Sequence, residues 1–318
     1  MSAPATLAPD AAAAPAARRA GLNLAQRLRV ESTPWLFLAP VGVVFVVLYV
    51  IPLVQSAYYS FTDANGYSPT EQWVGLHNYR ALFRDSSMLS SLGFTLGYAV
   101  ATTLVVTVLA IPLAVVLNRE FAGKNLVRAV FFFPAVPSVA VLGLVWTFIL
   151  NPLGSGVLNS VLHGLFDVGP VPWLSDNTLA RLSVVAVSVW AQTGWHAILY
   201  LAYLQTIPGD YYEAATIDGA SGWRSFRSIT LPLLMPAMTV SQLLLLTNGL
   251  KVYDLPFTLT KGGPGFATRP ITQSLIERGI AQARIGEASA LAVLFLLVVA
   301  AVVAGQMFLT RRLEGRYS

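Results

Sequence analysis

Six stretches of the chain, 32–62, 86–118, 129–166, 182–209, 228–250 and 288–310, contain no Asp, Glu, Lys or Arg. The next longest charge-free stretch is residues 1–9. Each of the six can hold the roughly 20 apolar helical residues that cross a hydrocarbon core about 30 Å thick. Helix is the expected element, because lipid offers the backbone no hydrogen-bond partners and the runs lack the two-residue alternation of a barrel strand. Trimmed to their apolar centres, the stretches predict spans near 34–55, 92–117, 126–150, 182–205, 230–255 and 288–310. The fold class is therefore an all-α polytopic membrane protein with six transmembrane helices. Pro52, Pro112, Pro134, Pro137 and Pro236 lie inside or at the ends of spans and predict kinks rather than breaks.

Composition narrows this little further. Of 318 residues, 55% are hydrophobic and 11% charged, against about 25% charged in an ordinary soluble domain. A cytosolic enzyme, a disordered tail and a secreted disulfide scaffold are excluded. With no cysteine, neither disulfides nor thiolate chemistry is available. The net charge of +5 needs no nucleic acid. With the N-terminus in the cytoplasm, twelve of the twenty Lys and Arg fall on the inner side and eight on the outer, the bias that sets membrane topology. Both termini are then cytoplasmic. Residues 1–30 read as a cytoplasmic tail: Ala/Pro-rich and disordered at first, then a short amphipathic stretch over 18–31. Residues 31–318 form the membrane domain, and the first span is retained rather than cleaved as a signal.

The polar segment 207–228, between the fourth and fifth spans, has more order than a passive linker. Asp210 and Glu213 have the spacing of a capping box, predicting a helix from near Tyr211. Gly219 stands where a left-handed residue would end it. A second short helix starts near Ser221 and runs through Pro232 into the fifth span. Small Ala214, Ala215 and Ala220 leave room for close approach by another surface. On these grounds alone the element is either a rigid joint that a partner pushes or a helical hairpin of no further consequence. The residues Glu213-Ala214-Ala215, Gly219 and Ile229-x-Leu231-Pro232 fit the pattern EAA-x3-G-x9-I-x-LP at every fixed position. The chain thus resembles the permease subunits of binding-protein-dependent ABC importers, whose fold is the type I importer transmembrane domain. In that family this loop is the coupling helix that docks in a cleft of the ATPase. The resemblance assigns ATPase coupling to Glu213, Ala214, Ala215, Asp218 and Gly219, flanked by Arg224 and Arg227.

A second segment, KVYDLPFTLTKGGPGFAT over 251–268, resembles the carbohydrate branch of maltose and glycerol-phosphate type, with Tyr253 where Phe is usual. WVGLHNY (73–79), FFFPAVPS (131–138) and GEASALAVLF (286–295) agree, so the likeness covers most of 30–310. Read physically, Lys251 and Asp254 are spaced i, i+3 and would share a helix face at the exit of the fifth span. Either they line a cavity or they are solvated at the outer interface. Pro256 is expected to end regular helix and Gly262-Gly263-Pro264 to form a flexible outer turn. Since the family's sugar contacts come partly from this helix, Asn248, Lys251, Tyr253 and Asp254 are candidate pathway residues. In the fourth span Gln192 and Trp195 join them, because sugars bind aromatic faces flanked by amides. His196 is expected to bond within the bundle, and Trp190 to pack at the interface.

No catalytic constellation is found. There is no phosphate loop and no H-E-x-x-H among the three histidines, and no G-x-S-x-G elbow. No catalytic, cofactor-binding or metal-binding residue is assigned. The resemblance implies a sugar or polyol permease in the bacterial plasma membrane that couples but does not catalyse. It would work with a homologous second permease and a dimer of ATPase subunits, which use the ATP and Mg. An extracytoplasmic solute-binding protein would deliver the solute. The alternatives are an ABC permease for a non-sugar solute such as glycerol-phosphate or a polyamine, an ion-coupled secondary transporter, which would need intramembrane acids that are scarce here, and a membrane-embedded enzyme.

Overall fold

A computed structural model describes residues 38–314. The expected N-terminal tail over 1–30 and the start of the first span lie outside the described residues. The described chain is nearly all helix; outside helices it has one antiparallel bridge, Thr62–Trp73. The chain divides after Tyr58, and the first helix, α1 (Leu38–Tyr59), is apolar along its length with a π-turn at Val46–Val50 just before Pro52.

In the second unit the order is α2 (His77–Arg84), α3 (Ser86–Asn118), α4 (Lys124–Phe132), α5 (Val139–Ile149), α6 (Val157–Phe166), α7 (Asn177–Leu204), α8 (Asp210–Ile217), α9 (Gly222–Leu233), α10 (Met235–Leu250), α11 (Asp254–Thr260), α12 (Ile271–Ile276) and α13 (Ile285–Glu314). Four helices, α1, α3, α7 and α13, are each long and apolar enough to cross a membrane. Two more crossings arise if each bent pair, α4 with α5 and α9 with α10, counts as one span.

The expectation that prolines do not break the spans holds at Pro112 and fails elsewhere. At Pro112, α3 runs on without interruption. At Pro134 and Pro137, by contrast, the chain turns through 96° between α4 and α5, by way of a 3-10 turn at Phe133–Ala135. That is a break. Two prolines three residues apart remove two backbone donors from one turn of helix. Ser138 then restarts the helix, its Oγ accepting from the Val141 N–H. The turn between α9 and α10 is 66°, at Leu234, two residues before Pro236.

The centre of the bundle is the seam of α3 with α7, closed by α10 on one side. Lipid supplies no hydrophobic drive between helices, so close backbone approach and hydroxyl bonding must hold the seam. The sequence provides both. Ala99, Ala110, Ala114, Ala197 and Ala237 are fully buried. Gly249 of α10 lies so near α3 that a Cβ there would come within 2.8 Å of the Ala99 Cα. Thr95, Thr102, Thr103 and Thr107 line the buried side of α3, each donating to the carbonyl four residues back at 2.7–2.8 Å. Such bonding satisfies the hydroxyl inside its own helix.

Where α3, α12 and α13 meet, charge replaces apolar packing. Arg278, with 11% of its side chain exposed, pairs with Asp85 and, at 2.6 Å, with Glu287. Asp85 also caps α3, accepting from the Ser87 N–H and hydroxyl at 2.8 and 2.7 Å. Burial pushes the Asp85 carboxyl up, but the two Ser87 bonds and Arg278 outweigh it and hold it below its ordinary 3.8. A depressed carboxyl adds stability at pH above its unfolded value and loses it as pH falls through the folded one. The melting temperature in detergent is therefore expected to drop below about pH 4, and to drop less in Asp85→Asn. Arg278→Ala strips Asp85 of its cation and leaves Glu287 only the looser pairing with Arg284 at 3.6 Å. Its expected cost is about 3 kcal/mol, read as a lower melting temperature at pH 7; an unchanged melting curve would contradict the pairing.

Candidate functional site

The fifth span does not leave the bundle as a continuous helix. Helix α10 stops at Leu250, residues 251–253 are extended or irregular, and α11 begins at Asp254. Lys251 and Asp254 therefore do not share a helix face, which corrects the i, i+3 expectation. Neither forms an ion pair with any described residue. Each sits instead at a helix end of opposite polarity: Lys251 caps the C-terminus of α10 and Asp254 occupies the first turn of α11. A helix terminus carries about half an elementary charge, positive at the start and negative at the end, so both side chains are placed where the backbone favours their sign. Pro256 has no N–H to offer the Val252 carbonyl four residues back, and Thr272 Oγ1 donates to that carbonyl instead, at 2.5 Å. Pro256 lies within α11 rather than ending it.

This break opens onto a cavity of about 340 Å³. Asn248, Lys251, Tyr253 and Asp254 line it, and across it stands Gln192 of α7, near the middle of that helix. Of the pathway candidates only Trp195 lies elsewhere, 42% exposed and edge-on to His196. His196 is buried, and its Nδ1 meets Ser241 Oγ of α10 at 2.8 Å, a bond between helices. Trp190 packs edge-on against Trp146.

Two further polar residues face the cavity. Ser188 Oγ accepts from Tyr98 Oη at 2.7 Å and from Gln192 Nε2 at 2.6 Å, joining α3 to α7. Ser188 is one turn from Gln192, a spacing that marks it from the sequence. Tyr98 has no such signal, because a tyrosine in an apolar span reads as packing. Chemically the site offers amides, hydroxyls, one cation, one anion and two aromatic rings, those of Tyr98 and Tyr253, and Tyr253 stacks on Phe257 at 5.1 Å. That set suits a hydroxyl-rich solute, whose C–H faces meet aromatics while its hydroxyls find directional partners. Among the described residues no group of three or more His, Asp and Glu could hold a metal ion.

The GGP segment is closed by hydrogen bonds. Thr268 Oγ1 donates to the Gly263 carbonyl at 2.6 Å and meets Thr260 Oγ1 at 2.7 Å. Gly262, at φ +84°, leaves no room for a Cβ, which would lie 2.9 Å from Gln273 Oε1.

The 207–228 segment forms the short helix α8. Its start differs from the expected capping box: Gly209 precedes the helix, and Asp210 is its first residue, without a capping bond. Asp210 and Glu213 instead place two carboxylates in the first turn, where the dipole favours them. The end matches expectation. Gly219 has φ +70°, its N–H reaches the Thr216 carbonyl, and the Ala220 N–H reaches the Ala215 carbonyl. This is the paired closure of a left-handed helix end. Tyr212 Oη and Thr230 Oγ1, 3.1 Å apart, bind α8 to the π-turn within α9. Ala215 is buried within the chain, whereas Glu213, Ala214, Asp218 and Gly219 are exposed. Beside them Ile217 and Trp223 are 86% and 71% exposed.

Known proteins share much of this sequence and fold. Residues 106–317 match the family described as the binding-protein-dependent transport system inner membrane component. The probable starch degradation products transport system permease protein of Thermoanaerobacterium thermosulfurigenes is 32% identical over 280 residues, covering 88% of this chain and 94% of the relative. The trehalose/maltose transport system permease protein of Thermococcus litoralis is 33% identical over 253 residues, covering 79% and 85%. A chain of a bacterial alginate ABC transporter, solved in complex with its alginate pentasaccharide-bound periplasmic protein, shares the fold. Its TM-score is 0.79 at 22% identity, over 92% of this chain and 98% of that one. The two relatives are transport permeases rather than enzymes. The chain belongs to the family of binding-protein-dependent transport system inner membrane components.

Proposed function

We propose that this chain is the permease subunit of an ABC importer for a sugar or related polyol, and that the cavity at the α10–α11 break is part of the solute path. The observation that carries the reading is the convergence of Asn248, Lys251, Tyr253, Asp254 and Gln192 on one open cavity, with Lys251 and Asp254 exposed at it. The starch-product and trehalose/maltose relatives support a carbohydrate substrate. A second, homologous permease supplies the other half of the path, and an extracytoplasmic solute-binding protein delivers the solute. Both termini of the chain face the cytoplasm, in keeping with the distribution of Lys and Arg.

The helix α8 couples the path to a dimer of ATPase subunits, which bind the ATP and Mg. Glu213, Ala214, Asp218 and Gly219 form its docking face, with the exposed apolar side chains of Ile217 and Trp223 beside them, while Ala215 seats the helix on its own subunit. Closure of the ATPase pair moves α8 as a rigid body, and the covalently attached α7 and α9–α10 carry that movement to the cavity.

The test is solute uptake by the reconstituted complex. Lys251→Ala and Asp254→Ala are expected to lower uptake about tenfold or more, since each removes a charge-assisted contact worth about 1.5–3 kcal/mol, while assembly stays unchanged. Uptake kinetics identical to wild type in both variants would remove the cavity from the path.

A further inference from the structure

The cavity is not the only space along the α3–α7 seam. A cleft of about 420 Å³ lies closer to the ends at which these two helices begin, lined by Ser90, Gly93 and Gly97 of α3 and Arg181, Leu182 and Val185 of α7. Its floor is bare backbone: nothing lies within 4 Å of where a Cβ would stand on Gly93 or Gly97. Ser90 and Arg181 are each only four residues into their helices. At about 1.5 Å per residue, Ser90 is roughly 12 Å nearer the helix start than Tyr98.

One side chain borders both spaces. Tyr98 lines the cleft and the cavity, is only 4% exposed, and is held through its hydroxyl by Ser188. Ser188 is itself bound by Gln192 on the cavity wall. The Phe94 ring lies beside it, centroid to centroid at 5.9 Å, and Phe94 also lines the cleft. An aromatic ring free to turn about its Cα–Cβ and Cβ–Cγ bonds, pinned at its tip by one hydrogen bond and bordering both spaces, has the form of a hinged partition. The bond is also addressable from the cavity: a hydroxyl-rich molecule that competes for Gln192 or Ser188 withdraws the partners that hold the ring.

We propose that Tyr98 is the gate between cleft and cavity, latched by Ser188 and Gln192 and released when solute hydroxyls take over those partners. This rests on the reading of the cavity as solute path. The cleft is then the vestibule on the side where α3 and α7 begin, which the charge distribution makes the outer side. Tyr98 acts as a positioning residue: it controls passage and leaves the solute contacts to Lys251, Asp254 and Gln192.

Because the chain has no cysteine, single thiols report access cleanly. Gly93→Cys and Asn248→Cys are made in the full chain, in native membrane vesicles of both orientations without ATP. Each is treated with a membrane-impermeant maleimide. With Tyr98 intact, Gly93→Cys is expected to react from the outer side only and Asn248→Cys from the inner side only. Tyr98→Ala should raise the outer-side reaction rate of Asn248→Cys more than about tenfold, because the partition is gone. Tyr98→Phe and Ser188→Ala, which keep the volume and remove only the latch, should raise it about three- to tenfold, the worth of one net hydrogen bond. These two keep the question decidable should Tyr98→Ala fail to insert.

Equal two-sided labelling of Asn248→Cys with Tyr98 intact would overturn the gate. So would an unchanged one-sided pattern in Tyr98→Phe and Ser188→Ala, or a Gly93→Cys that reacts from neither side and so faces lipid. The labelling uses no solute. A gate that opens as described in a protein whose Lys251→Ala and Asp254→Ala variants take up solute normally would therefore disprove the path reading and leave the partition standing.

Discussion

Glu213→Ala combined with Gly219→Pro is expected to abolish solute-stimulated ATP hydrolysis in the reconstituted complex while the subunit remains inserted in the membrane. The reason is local. Gly219 ends α8 at φ +70° with its own N–H bonded to the Thr216 carbonyl. Proline fixes φ near −65° and has no N–H, so it can adopt neither feature. The helix end would unwind at a cost of about 3 kcal/mol, and α8 would no longer present a fixed face. Glu213→Ala removes one of two first-turn carboxylates that match the helix dipole, a smaller effect of about 0.3–1 kcal/mol. None of these groups belongs to a membrane-crossing helix, so insertion should be spared. Basal hydrolysis belongs to the ATPase and should persist. A complex that keeps normal stimulated hydrolysis would show that α8 is not the coupling element.

A loss of the folded subunit itself is expected for Gly194→Val. Gly194 lies on α7 where the end of α4 crosses it. A Cβ at this position would stand 1.8 Å from the Phe131 carbonyl oxygen and 2.5 Å from its carbon. Both are backbone atoms at the sharp turn into α5, so no side chain can rotate away to make room. Overpacking against a fixed backbone costs about 3 kcal/mol, a large part of a typical net stability of about 5–15 kcal/mol. Gly194→Val should therefore yield aggregated or degraded subunit when the detergent extract is sized by gel filtration, and Gly194→Ala a clearly lowered yield. Gly93→Ala is the internal control, because open space surrounds that position; it should behave as wild type. Equal yields for Gly93→Ala and Gly194→Val would mean that α4 does not cross α7 at this point.

The sequence reveals the parts of this fold that follow from local chemistry. Charge-free length locates the apolar helices, and the positive-φ requirement at Gly219 and the start of α9 after Ser221, whose Oγ accepts from the Arg224 N–H at 3.3 Å, are visible as residue types at fixed spacing. Most of the cavity is legible too, because Asn248, Lys251, Tyr253, Asp254 and Gln192 are the polar exceptions in apolar runs. What escapes is decided by contacts distant in sequence. The break at 251–253 contains neither Gly nor Pro; its signal is Pro256, which cannot donate to the Val252 carbonyl four residues back, and the Thr272 hydroxyl that takes that carbonyl instead is distant in sequence. The 96° turn at Pro134–Pro137 is underestimated as a kink because its room comes from Gly194 on another helix. Asp210 and Glu213 show that a capping-box spacing can serve a different end, two dipole-matched charges without the cap. Tyr98 escapes for the opposite reason, being an ordinary residue for a buried span.

The separate anchoring of Lys251 and Asp254 has an energetic consequence for any molecule entering the cavity. Had the two been joined to each other, an arriving hydroxyl would first have to prise them apart and forfeit that attraction. As built, each charge is steadied by peptide dipoles that do not move when the visitor comes or goes. The wall of the cavity is therefore ready before the encounter, and little is owed in rearrangement on either arrival or departure, a condition that suits rapid throughput better than tight retention.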